Sequence, residues 1–274
     1  MKKRVACLLL AAAYPLLNLL LQTITQLVPA LYASVSILHG GGLGSLYRNA
    51  FADHLAEAWP LVFLISSGLF LLIVGILFRR RGLSLRRLLF PRPPAWRELS
   101  LCLLLGFFLF LLTTQLLAVA FLPEQWVTSY EETWADFENG MSLSSLLLYT
   151  LLLAPVMEEL IFRGLSLHAL RQTAPVWLAV LLQAVLFAAY HMNLLQFAYA
   201  LIPGAVLGFA GVFTGSLWGP IAAHILYNCA GFWSGALKMP EAPWGYGLLI
   251  LFLGLCALCL LLLRRMARQA GTSG

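Results

Sequence analysis

Apolar residues in this chain fall in long unbroken runs, not in the three-and-four spacing of a surface helix or the alternation of a half-buried strand. The runs extend from about Val5 to Val28, Trp59 to Phe78, Leu99 to Leu122, Ser142 onward, Pro175 to Phe197, Ala198 to Phe213, Leu217 to Leu237 and Gly245 to Leu263. A helix of about 20 residues crosses the roughly 30 Å hydrocarbon layer of a bilayer. The pattern therefore predicts an all-α membrane protein, a polytopic bundle of about eight transmembrane helices forming one integral domain over residues 1–274.

Composition agrees with the pattern. The chain is 61% hydrophobic and 10% charged, whereas about a quarter of a soluble domain is charged. The net charge of +6 is no nucleic-acid footprint, because Lys and Arg gather between apolar runs. Seven arginines lie between Arg79 and Arg97, and others stand at Arg4, Arg264, Arg265 and Arg268. The positive-inside tendency then puts both termini and the Arg79–Arg97 segment in the cytoplasm, against anionic lipid. The opposite side receives Glu124, Glu131, Glu132, Asp136 and Glu138, read as a solvated loop. The residues from Pro29 to Ala58 also read as a loop, with Pro29 ending the first helix and His39 and His54 at the surface. Cys7, Cys102, Cys229, Cys256 and Cys259 all lie in apolar runs and act as small hydrophobes. Seven of the tryptophans, Trp59, Trp96, Trp126, Trp177, Trp218, Trp233 and Trp244, fall near span ends, as an aromatic belt does. Gly204-x-x-x-Gly208 has the spacing of close helix packing.

Candidate chemistry comes from polar residues inside the runs: Glu158 and Glu159, His191 with Asn193 nearby, and His224 with Asn228. An ionisable group at the bilayer centre costs about 3 kcal/mol by insertion scales and marks a functional site by default. Residues four apart share a helix face, so Glu159 can pair with Arg163 and His224 lies beside Asn228. Glu158, turned by about 100°, can face elsewhere. Ending the fourth helix at Phe162 would leave Glu158 far from the level of His191. A longer helix, from about Ser142 to Arg171 with a turn at Gln172 to Pro175 and a kink at Pro155, raises Glu158 to roughly 20 Å and His191 to roughly 24 Å above that turn. A turn near Thr214 to Ser216 puts His224 at about 14 Å by the same rise.

These groups can then share an intramembrane cavity. A carboxylate with an imidazole can orient and deprotonate water, which assigns Glu158 as general base and Glu159 with Arg163 as a structural ion pair. The same residue types also suit a proton-coupled transporter or the polar contacts of a non-enzymatic scaffold. From the residues alone, all three remain open.

The ordered set Glu158-Glu159-x-x-x-Arg163, Phe187-x-x-x-His191 and His224-x-x-x-Asn228 resembles the CPBP family of intramembrane proteases. That family includes the CAAX prenyl endopeptidases and the bacteriocin-processing or immunity-associated (Abi) relatives. The resemblance covers 143–229 as a catalytic core and leaves 1–122 without an assigned role; Ala188 stands where many relatives have Gly. It implies an intramembrane endopeptidase acting on a membrane-associated protein or peptide in a bacterial cytoplasmic membrane. The catalytic positions it implies are Glu158, Glu159, His191, His224 and Asn228. Glu158 activates water with help from His191, His224 and Asn228 form an oxyanion hole, and Arg163 and Phe187 give support. Family names include "metalloprotease", and Glu158, His191 and His224 are the candidate ligands for zinc, although no H-E-x-x-H signature is present.

Overall fold

The computed structural model describes residues 2–39, 59–90, 95–232 and 237–272. Among these residues it contains helices and no strand. We number the helices α1 (Lys2–His39), α2 (Trp59–Arg80), α3 (Leu85–Leu89), α4 (Trp96–Val119), α5 (Glu124–Gly140), α6 (Leu143–Arg171), α7 (Val176–Tyr190), α8 (Leu194–Thr214), α9 (Trp218–Phe232) and α10 (Gly245–Thr272). Six of them, α1, α2, α4, α6, α8 and α10, are long and apolar enough to cross a membrane. The other two predicted spans, α7 and α9, have 15 residues each, or about 22 Å of helix.

Several boundaries differ from the sequence reading. Helix α1 runs through Pro29 to His39, as prolines inside membrane helices often permit. Gly40 to Ala58 lie outside the described residues, as do Arg92 and Trp233. The acidic segment is a helix, α5, not a loop. Pro123 stands at its N-cap and nothing in the sequence breaks the helix before Gly140. The predicted fifth span is cut short. Met192 takes a left-handed conformation (φ 52°), and Asn193 caps α8 by accepting the Gln196 N–H at 3.1 Å. His191 is thereby left at the C-cap of α7.

The long fourth helix is present as α6, and the turns expected after Arg171 and Thr214 are where spacing put them. The kink expected at Pro155 takes the form of widened turns. Leu148–Leu153 and Glu159–Ser166 are π-helical, separated by one short α segment. π-turns inside α-helices are frequent at functional sites.

Two apolar clusters flank the middle of the bundle. One joins α1, α2, α6 and α7 around Phe70, Ile161, Phe162, Leu165 and Phe187. The other joins α4, α8, α9 and α10 around Leu105, Leu109, Leu207, Ala223, Cys256 and Cys259. Small residues bring the helices close: a methyl at Gly204 would meet Ala184, one at Gly208 would meet Gln183 and Val180, and one at Gly106 would collide with the Ala223 carbonyl. The Gly204/Gly208 spacing thus serves the α7–α8 contact, and Gly106 sets how near α4 comes to α9.

Candidate active site

Glu158, Glu159, Arg163 and His224 meet where these two clusters adjoin. Glu159 is fully buried, and its Oε1 lies 2.9 Å from Arg163 Nη1 and 2.7 Å from His224 Nδ1. The arginine contact is an ion pair by distance, although the N–H does not point along it. Arg163 Nη2 donates to the Pro203 and Gly204 carbonyls of α8 at 3.2 and 3.3 Å, and its guanidinium lies over the Phe187 ring, 4.4 Å from the centroid.

Glu158 also faces His224, with Oε2 3.6 Å from Nε2. The two adjacent glutamates, expected to face apart, instead address the two nitrogens of one imidazole. Their accessibility still separates them: the Glu158 side chain keeps 15% of its surface exposed and that of Glu159 none. Periodicity at 100° per residue places the pair on an ideal helix, and the π segment beginning at Glu159 departs from that geometry.

His191 makes no hydrogen bond to Glu158. Its Nδ1 is 2.9 Å from the Phe187 carbonyl. A carbonyl only accepts, so Nδ1 carries the hydrogen and Nε2 is left as the basic nitrogen. Phe187 lies between the histidines, edge-on to His191 at 4.9 Å and to His224 at 5.9 Å between ring centroids. With Arg163 on the same ring, its supporting place is physical: one aromatic residue packs against three of the motif residues.

Asn228 is a turn beyond His224, but its amide is engaged elsewhere. Nδ2 donates to the Thr150 carbonyl of α6 at 2.8 Å. The local fold explains why that oxygen is free. In the π register, Ala154 N–H bonds to Tyr149 O, so the Thr150 carbonyl would next meet residue 155, and Pro155 has no N–H to give. The second N–H of the Asn228 amide stays available for another acceptor.

Sequence reasoning missed a second polar group beside the site. Tyr190 OH donates to Asn18 Oδ1 at 2.7 Å, and Gln22 Nε2 donates to the same oxygen at 2.7 Å and reaches Tyr190 OH at 3.0 Å. Asn18 and Gln22 belong to α1, far from the motifs in sequence. The available signal was two amides four residues apart in an apolar run.

Among the described residues, no three His, Cys, Asp or Glu side chains converge as a ligand group. Glu158, His191 and His224 do not form the three-ligand set that zinc requires.

Residues 140–230 match the family described as "Type II CAAX prenyl endopeptidase Rce1-like". A Bacillus subtilis (strain 168) protein named "Putative membrane peptidase YdiL" is 26% identical over 98 residues, which are 36% of this chain and 40% of the relative. An Escherichia coli protein named "Uncharacterized 24.3 kDa protein" is 34% identical over 84 residues, 29% of this chain and 39% of the relative. The alignments thus span about two fifths of each curated relative's length. No solved structure matches the chain. The family resemblance read from the motifs is borne out, and the matching segment contains every motif residue from Glu158 to Asn228.

Proposed function

We propose that the protein is an intramembrane endopeptidase that hydrolyses a peptide bond of a membrane-associated protein or peptide with water activated at Glu158. The observation that carries this reading is the difference between the two glutamates. One is sealed between Arg163 and His224, while its neighbour remains partly accessible beside the same imidazole. A structural strut needs the first and gives no reason for the second.

In this reading Glu159 is the holder. Its Oε1 accepts from His224 Nδ1, which fixes the ring and turns Nε2 toward Glu158. Two carboxylates and one guanidinium carry a formal charge of −1, which an imidazolium at His224 would cancel, so His224 can give charge-assisted stabilisation to an oxyanion. Glu158 accepts a proton from water as its oxygen adds to the carbonyl and returns that proton to the leaving amine as the C–N bond breaks, and the unprotonated Nε2 of His191 serves as a second acceptor or orienting group. The spare N–H of Asn228 is the further oxyanion donor. The burial of Glu159 and His224 among apolar helices and the family description support one substrate class: a lipid-linked peptide or a protein tail that enters an apolar environment.

Helix polarity supports an orientation with both termini cytoplasmic. Lys3, Arg4 and Arg171 line one cavity, and Arg79 and Arg80 end α2, as the positive-inside tendency expects. The test of function is cleavage of a quenched-fluorescence peptide library by the purified full-length protein in lipid nanodiscs. Glu158→Gln is expected to lower the rate by about 10²–10⁴-fold, the usual share of a general base. Undiminished cleavage by that variant would sink the proposal. Glu158-dependent proton flux into sealed liposomes without proteolysis would point to a transporter.

A further inference from the structure

Helix α1 presents a continuous buried face to α6 and α7. Cys7, Ala11, Tyr14 and Asn18 recur at four-three-four spacing and are all buried, and Gln22 follows four residues on. Two hydrogen-bonded contacts fix the helix along this face. Ser166 Oγ, at the end of the second π segment of α6, donates to the Ala11 carbonyl at 2.8 Å. Higher up, the Tyr190 hydroxyl and the Gln22 amide both donate to Asn18 Oδ1.

The upper contact falls on a particular residue. Tyr190 is the last residue of α7 and immediately precedes His191. Beyond it the chain leaves the helix, with His191 at the cap and Met192 in the left-handed region. Final helical turns are the ones most inclined to fray. Yet a group that handles a proton must hold its geometry to within about half an ångström. The Tyr190 ring is held twice: it packs edge-to-face with Phe162, 5.3 Å between centroids at 76°, and its hydroxyl is fixed by α1. Asn18 has 0% of its surface exposed and uses only its oxygen for this; its Nδ2 has no partner. A fully buried amide with half its valence unused is a costly helix contact, and an apolar residue would pack more cheaply.

We propose that Asn18 and Gln22 are positioning residues for His191, acting through the Tyr190 hydroxyl, so that α1 is a working part of the catalytic unit. The inference rests on the reading of His191 as a participant in water activation. It gives a role to a helix outside the segment shared with the peptidase family. It also predicts a chain of effect, α1 amide to tyrosine hydroxyl to imidazole, whose links should not act independently.

The test uses full-length protein in nanodiscs, the same peptide library, and the variants Asn18→Leu, Tyr190→Phe, their double, and His191→Ala as the control. Asn18→Leu and Tyr190→Phe should each lower kcat by about 10²-fold, the cost of misplacing a reacting group by an ångström. KM should stay within about twofold, and the double should be no worse than either single. Loss of thermal stability with unchanged kcat would reduce the trio to helix–helix adhesion and overturn the proposal, as would additive losses. If His191→Ala cleaves normally, the reading of His191 itself falls; if it is inactive while Asn18→Leu and Tyr190→Phe keep full kcat, only the positioning proposal falls. A second readout needs no substrate. In ¹⁵N-histidine spectra, the His191 signal, assigned by its loss in His191→Ala, should be one Nδ1–H set in the parent. It should broaden or split in Asn18→Leu, and an unchanged signal there would count against the proposal.

Discussion

Asn228 Nδ2 donates to the Thr150 carbonyl at 2.8 Å, taking the place of the N–H that Pro155 lacks. A side chain from α9 thus completes the backbone of α6 about two turns before the glutamates. Asn228→Ala should therefore cost about 1 kcal/mol or more by stranding that carbonyl. Pro155→Ala supplies an N–H at the missing position and should recover most of the loss. Comparing Pro155→Ala in the parent with Pro155→Ala added to the Asn228→Ala variant cancels the effect of proline on the unfolded chain. Scanning fluorimetry in detergent would read the cycle; equal effects of Pro155→Ala in both backgrounds would refute this account of the π-turn.

Removing Arg163 tests whether Glu159 is a holder. Arg163→Met leaves a fully buried carboxylate without its cation and two α8 carbonyls without their donor. Loss of one partner of such a pair typically costs about 3–5 kcal/mol. Neutralising both, as Glu159→Gln/Arg163→Met, should restore much of the stability and leave measurable cleavage, because Glu158 is untouched. Denaturant titration with parallel activity assays would check this. Complete inactivity in a double variant as stable as the parent would place Glu159 in the chemistry.

Much of this site was legible from spacing. Fixing turns after Arg171 and Thr214 made α6 long enough to bring Glu158 toward the level of His191, and four-residue spacing correctly paired Glu159 with Arg163. The choice of imidazole was not legible. The resemblance implied that His191 helps Glu158; that Glu158 also faces His224 was not foreseen. Side-chain direction at Glu158 and Glu159 depends on the π-turn, whose period differs from the one used to read the helix. The end of α7 was misplaced because apolar Leu194 and Leu195 continue the run past His191, and only Asn193 signalled a new cap. Asn18 and Gln22 were overlooked as ordinary polar residues of a first span, since nothing local tells which neighbour a buried amide will meet.

Gly106 offers a mechanical test of how His224 is placed. A β-carbon there would collide with the carbonyl of Ala223, the residue before His224. Two helix backbones cannot yield as a flexible side chain can, so Gly106→Ala must push α9 away from α4. Overpacking of this kind typically costs about 1–3 kcal/mol. The shift should also loosen the contacts of His224 with both glutamates, lowering kcat by more than the fraction of folded protein falls. Gly68→Ala on α2, where a β-carbon meets nothing, is the matched control and should be neutral. Parent-like activity in Gly106→Ala would show that α9 is not held at this distance by α4.

Metal dependence can be decided on the same donor set. Two ligands of a tetrahedral zinc at about 2.0–2.1 Å lie about 3.3 Å from one another, and Glu158 Oε2 and His224 Nε2, at 3.6 Å, come near that spacing. A third protein ligand is what the site lacks. No further His, Cys, Asp or Glu converges with them among the described residues; His191, whose Nδ1–H is held by a backbone carbonyl, keeps its Nε2 free but does not join the pair. Two ligands hold zinc too weakly to survive a chelator, so 1,10-phenanthroline or EDTA followed by desalting should leave cleavage unchanged. Elemental analysis of the active protein should then find far less than one zinc per chain. Stoichiometric zinc that disappears with activity in both His191→Ala and His224→Ala would mean that α7 and α9 close further to bring His191 onto the ion, and water activation would have to be reassigned from Glu158 alone to a metal site.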